Sequence, residues 1–116
     1  MSEESYSKQE RRELRRLSRE AHEMELNQSL EALFREFQRW NEGELPAGDL
    51  SDAIHSFDRG PSTKLFKLYN GVDEALLVAR GIALGLLAEE DVSQPLSQKL
   101  EPLIRSVRAE STEDDE

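Results

Sequence analysis

The residues of this sequence that could do chemistry are few. It has two histidines, His22 and His55, and no cysteine. His22 with Glu25, and His55 with Asp52, each share a helix face at a three-residue spacing, a two-ligand pair common on helix surfaces. Metal capture needs more ligands than that, and neither an HExxH pattern nor an EF-hand loop is present. The turn around Gly43 has a helix–loop–helix look, but it would place Trp40 at a ligand position, and an indole cannot ligate calcium. No metal and no cofactor are expected.

Nucleophilic catalysis fares no better. Ser56, Ser62, Thr63 and Lys64 lie near His55, as polar residues do in any turn, and no nucleophile elbow, phosphate-cradling loop or dinucleotide fingerprint accompanies them. No catalytic residue is assigned, and an enzyme is not expected. One basic set remains: His55, Arg59 and Lys64 around the turn between the second and third helices, with Arg80 as the only charge in an apolar run. The simpler reading of Arg80 is a buried ion pair with Asp52, Asp58 or Asp73, since an unpaired buried guanidinium is costly. The alternative reading makes the four a small site for an anionic ligand or partner carboxylates, conceivable also as an enzymatic module.

The elements that must position these residues read as helices throughout. The expected fold is all-α, a four- to five-helix bundle with a long N-terminal helix and a buried Gly/Ala-rich central helix. The first helical stretch runs from about Lys8 to Asn41, with Gly43 as a left-handed C-cap. It carries two apolar stripes. Leu14, Leu17, Ala21 and Met24 are spaced 3, 4 and 3; Leu26, Leu30, Leu33, Phe37 and Trp40 are spaced 4, 3, 4 and 3, with Phe34 widening the second. At 100° per residue the two stripes point roughly 170° apart. Either the helix breaks near Asn27, or it stays continuous and the Leu14–Met24 face looks away from its own domain. The absence of Gly or Pro between His22 and Ser29 favours continuity and an arm projecting from the globule.

Asp49 is the expected N-cap of the second helix and Asp73 of the fourth. The fourth, over about residues 74–88, is apolar nearly all round and so marks the centre of the fold, its Gly81 and Gly85 allowing close approach of neighbours. Its apolar run, residues 75–88, is 14 long and contains Arg80, too short for a membrane span of roughly 20 residues. The fifth helix contains Pro102, where a kink or short turn is expected. The expected division is a disordered segment 1–7, a charged helical arm 8–25, a helical core 26–109 and a disordered acidic tail 110–116.

The net charge of −10 is uneven. Residues 8–20 hold six bases and three acids, a net of +3, leaving −13 elsewhere. An acid-rich body repels phosphate backbones, so no nucleic-acid partner is expected. No apolar leader stands at the N-terminus, so neither membrane nor secretion is expected and cytoplasmic residence is the default. The functional expectation is a non-catalytic interaction or regulatory protein, a homodimer whose contact face is Leu14, Leu17, Ala21 and Met24 with Arg12 and Arg16 meeting a neighbour's acids. The competing expectation is an acidic accessory subunit, antitoxin-like, that binds a basic partner protein.

Overall fold

The computed structural model describes residues 5–114. They form five helices, α1 (Lys8–Asn41), α2 (Ala47–Phe57), α3 (Thr63–Gly71), α4 (Glu74–Ala83) and α5 (Gln94–Asp114). A π-helical turn, Asp58–Ser62, joins α2 to α3, and a 3-10 turn, Glu89–Asp91, precedes α5. The fold is an all-α bundle, with no strand among the described residues and one long N-terminal helix.

The helix ends follow from local chemistry. α1 begins in a capping box: the Glu10 N–H donates to Ser7 Oγ at 3.0 Å, and the Ser7 N–H donates to Glu10 Oε1 at 2.9 Å. It stays unbroken for 34 residues and stops at Gly43, whose φ is +81°. There the Glu44 N–H reaches Arg39 O at 2.8 Å and the Gly43 N–H reaches Trp40 O at 3.0 Å, a Schellman pair. α4 opens as expected, with the Asp73 carboxylate accepting from the Ala75 N–H.

Other ends differ from expectation. α2 is capped three residues before Asp49, with Pro46 at the cap and its carbonyl accepting from the Leu50 N–H. α4 ends at Ala83 and not near Ala88, because Gly85 adopts φ +80° and completes a second Schellman pair from Leu86 to Gly81 and from Gly85 to Ile82. α5 carries Pro102 within a single helix, the ring lying on the exposed side. It also runs through residues 110–114, expected as disordered tail, since no Gly or Pro follows Pro102 to stop it. At the other end, residues 5–7 belong to the capped start of α1. Residues 1–4, 115 and 116 of the expected disordered ends lie outside the described residues.

Contacts divide the chain into two units, one from residues 5–21 and 72–114 and the other His22–Gly71, so α1 contributes to both. The contacts divide α1 at residues 21 and 22, where the sequence suggested an arm up to residue 25 and a core from residue 26.

The first unit holds most of the buried apolar side chains: thirteen of the fifteen, including Leu14, Leu17 and Ala21 of α1, Leu77, Val78 and Ile82 of α4, and Leu96, Leu100 and Ile104 of α5. Leu17 and Ala21 are 0% exposed. The N-terminal part of α1 is therefore core and not a projecting arm. Its physical partner is the small-residue face of α4: a Cβ added to Gly81 would stand 3.3 Å from Ala21 Cβ and 2.8 Å from Leu87 Cδ1. The polar rim is ordered too. The Ser93 N–H and hydroxyl both donate to the Glu13 carboxylate at 2.7 Å, placing an anion at the N-terminus of α5.

The second unit is built differently. Leu50 and Leu65 are its buried apolar side chains. α3 is fastened to α1 by Tyr69, whose hydroxyl donates to Glu25 Oε1 at 2.7 Å and whose ring stacks on His22 at 4.4 Å between centroids.

Candidate interaction surface

Nine large apolar side chains stand exposed among the described residues, and seven of them belong to the second unit: Met24, Leu30, Phe34, Phe37, Trp40, Ile54 and Phe66. Phe34 is 60% exposed and Phe66 64%. This unit fully buries two apolar residues, holds Leu26, Leu33, Leu45, Phe57 and Leu68 half-buried, and exposes seven large ones, more apolar surface than a unit of fifty residues ordinarily leaves to water.

Helical spacing sorts these residues. Leu30, Phe34 and Phe37 lie within about 60° of one another on one side of α1. Ser29, Leu33, Glu36 and Trp40 form a second line roughly a quarter turn away. The first three of that line, with Ala53, Ser56 and Phe57 of α2, wall an open groove of about 320 Å³ that Pro61 closes at the π-helical turn. The walls are apolar apart from two serines and Glu36, and the Glu36 carboxylate is already paired with Arg39 at 3.1 Å. The turn itself is held by the Thr63 hydroxyl, which donates to Asp58 O at 2.6 Å. Trp40, 45% exposed, sits one helical turn beyond Glu36 along the same line.

The residues expected at a contact face are placed otherwise. Leu14, Leu17 and Ala21 are buried in the chain's own core and have no surface to offer a partner. Met24 is exposed and belongs to the second unit. Arg12 and Arg16 are exposed, and Arg16 is paired with Glu20 of its own helix at 2.9 Å. The basic set is divided: His55, Arg59 and Lys64 are exposed in the second unit, while Arg80 is half-buried in the first. Sequence reasoning read Phe34 as part of a core stripe and did not foresee the exposure of Phe34 and Phe66 or the groove. The signal for Phe34 was its position nearly a quarter turn off the mean of the Leu26–Trp40 line, which makes the apolar face too wide for one packing partner.

Among the described residues no group of three or more histidine or acidic side chains could hold a metal ion, and no helix is long and apolar enough to cross a membrane. No protein-family model, curated protein or solved structure matches the chain.

Proposed function

We propose that this chain is a non-catalytic interaction protein that self-associates through the apolar face of the unit His22–Gly71. The observation that carries the reading is the imbalance in that unit, two buried apolar side chains against seven large exposed ones. Taking roughly 200 Å² for a fully exposed large apolar side chain, the exposed fractions leave on the order of 700 Å² of apolar surface. A stable interface covers about 800 Å² on each partner, so these side chains together would supply much of the apolar part of one. The contact is helix-mediated, as the sequence suggested, but by the stripe at Leu30, Phe34 and Phe37 in place of the buried Leu14–Ala21 face.

The test is light-scattering mass of the intact chain over a range of concentrations and salt. The expected result is a species of twice 13.3 kDa that persists at high salt, because apolar contact is not screened. Phe34→Asp should return it to the monomer with helix content intact. A wild-type chain that stays monomeric at every concentration rules the reading out.

A further inference from the structure

The groove and the tryptophan of the second unit belong to one line of α1, and this juxtaposition deepens the reading of self-association on which it rests. Ser29, Leu33 and Glu36 wall the groove, and Trp40 follows at the next helical step, roughly 10 Å along the axis from Leu33. We infer that two copies pair about a two-fold axis that passes between their α1 helices at the level of Phe37, each placing its Trp40 side chain in the groove of the other.

Three properties support a second copy as the occupant. An isologous interface requires a surface that offers both knob and hole, so that each copy gives what it receives; α1 offers both on one line. The volume suits the ring, since about 320 Å³ lies at the lower end of cavities that take small organic groups. At the groove itself charge does not oppose it. The walls are uncharged apart from Glu36, whose pairing with Arg39 on its own helix leaves no bare carboxylate to face its symmetry mate. A large aromatic entering a pocket of this kind is the usual centre of an interface's binding energy.

Trp40 is the sole tryptophan of the chain, so its emission reports on the groove directly. The experiment follows emission wavelength and acrylamide quenching of the intact chain against concentration, beside light-scattering mass. The expected result is a blue shift and loss of quenching that track the appearance of the dimer. Trp40→Ala should weaken association at least tenfold, the size of effect an interface anchor has. Ser56→Phe fills the groove from a position exposed in the single chain, so folding is spared. It should leave helix content unchanged, weaken association and restore quenching. A dimer whose Trp40 emission does not change, or does not respond to Ser56→Phe, overturns the exchange while leaving self-association standing. A monomer at all concentrations overturns both.

Discussion

Lys99 Nζ meets Glu10 Oε1 at 2.7 Å, joining residues eighty-nine positions apart and tying the first turn of α1 to α5. The same ammonium donates to the Ser5 carbonyl at 2.8 Å and stands 5.6 Å from the centre of the Tyr6 ring. Glu10 is thus shared between two tasks. It closes the capping box with Ser7 and neutralises Lys99, and residues 5–7 become part of the fold through these contacts.

The acid response of the chain should register this arrangement. The Lys99 hydrogen bond first, and then the Ser7 backbone bond, hold the Glu10 carboxyl below its ordinary value, outweighing the opposite pull of desolvation. A folded value below the unfolded one means the contribution is complete above about pH 4.3 and is lost as pH falls through the folded value. Glu10→Gln should therefore destabilise the chain at neutral pH, with the gap to wild type closing in strong acid. Urea unfolding at about pH 7 and about pH 3 measures it, and a gap independent of pH refutes the role of the charge. Ser7→Ala, which removes the other half of the box, should cost about 1 kcal/mol at neutral pH.

Gly81 decides how closely α1 and α4 approach. A β-carbon there gains about 1 kcal/mol of helix propensity but stands 2.8 Å from Leu87 Cδ1 and 3.3 Å from Ala21 Cβ. Leu87 Cδ1 can swing aside, but Leu87 Cγ at 3.2 Å and the Ala21 β-carbon, fixed to the α1 backbone, must each give by a few tenths of an ångström, which offsets the gain. Gly81→Ala is therefore expected near neutral. Gly81→Val adds branches that no swing of Leu87 relieves, and should cost about 2 kcal/mol in chemical unfolding.

The Tyr69 hydroxyl and its ring do separable work in the second unit. Tyr69→Phe keeps the stack on His22 and removes the 2.7 Å bond to the Glu25 carboxylate. A hydrogen bond to a charged acceptor in a half-buried place is worth about 1–2 kcal/mol, so loss of that order is expected. Tyr69→Ala removes the stack as well and should cost clearly more. Equal losses for the two variants would mean that the ring contributes nothing.

Helices and most of their ends were legible because their signals are local. Gly43 needs a left-handed conformation, Asp73 offers an N-cap oxygen, and the 3-4 spacing of Leu26 to Trp40 admits no strand. Ser7 and Glu10 carried an equally local signature three residues apart. What periodicity could not supply was which of the two stripes of α1 faces inward. The Leu26–Trp40 stripe is longer and richer in large side chains, and size alone favoured it as core. The structure buries the shorter one, because Ala21 fits the small-residue surface of α4 at Gly81 and bulky aromatics do not. The basic residues show the same limit: nearness of His55, Arg59 and Lys64 in sequence could not say that Arg80 belongs to the other unit.

The two stripes make opposite demands on mutation, and one pair of variants separates them. Leu17 is wholly enclosed, so Leu17→Ala removes buried methyl groups and leaves a cavity, at a cost of about 3 kcal/mol. Phe34 is 60% exposed in the single chain, so Phe34→Ala should change monomer stability by less than about 1 kcal/mol. Association should respond in the reverse order. Phe34→Ala should raise the dimer dissociation constant severalfold or more, while Leu17→Ala leaves it near wild type wherever the chain remains folded. Urea unfolding at low protein concentration isolates the first effect, and sedimentation equilibrium of the folded variants isolates the second. If Leu17→Ala weakens association while Phe34→Ala spares it, the contact face lies on the N-terminal part of α1 after all, and that part must open from its core to reach a partner.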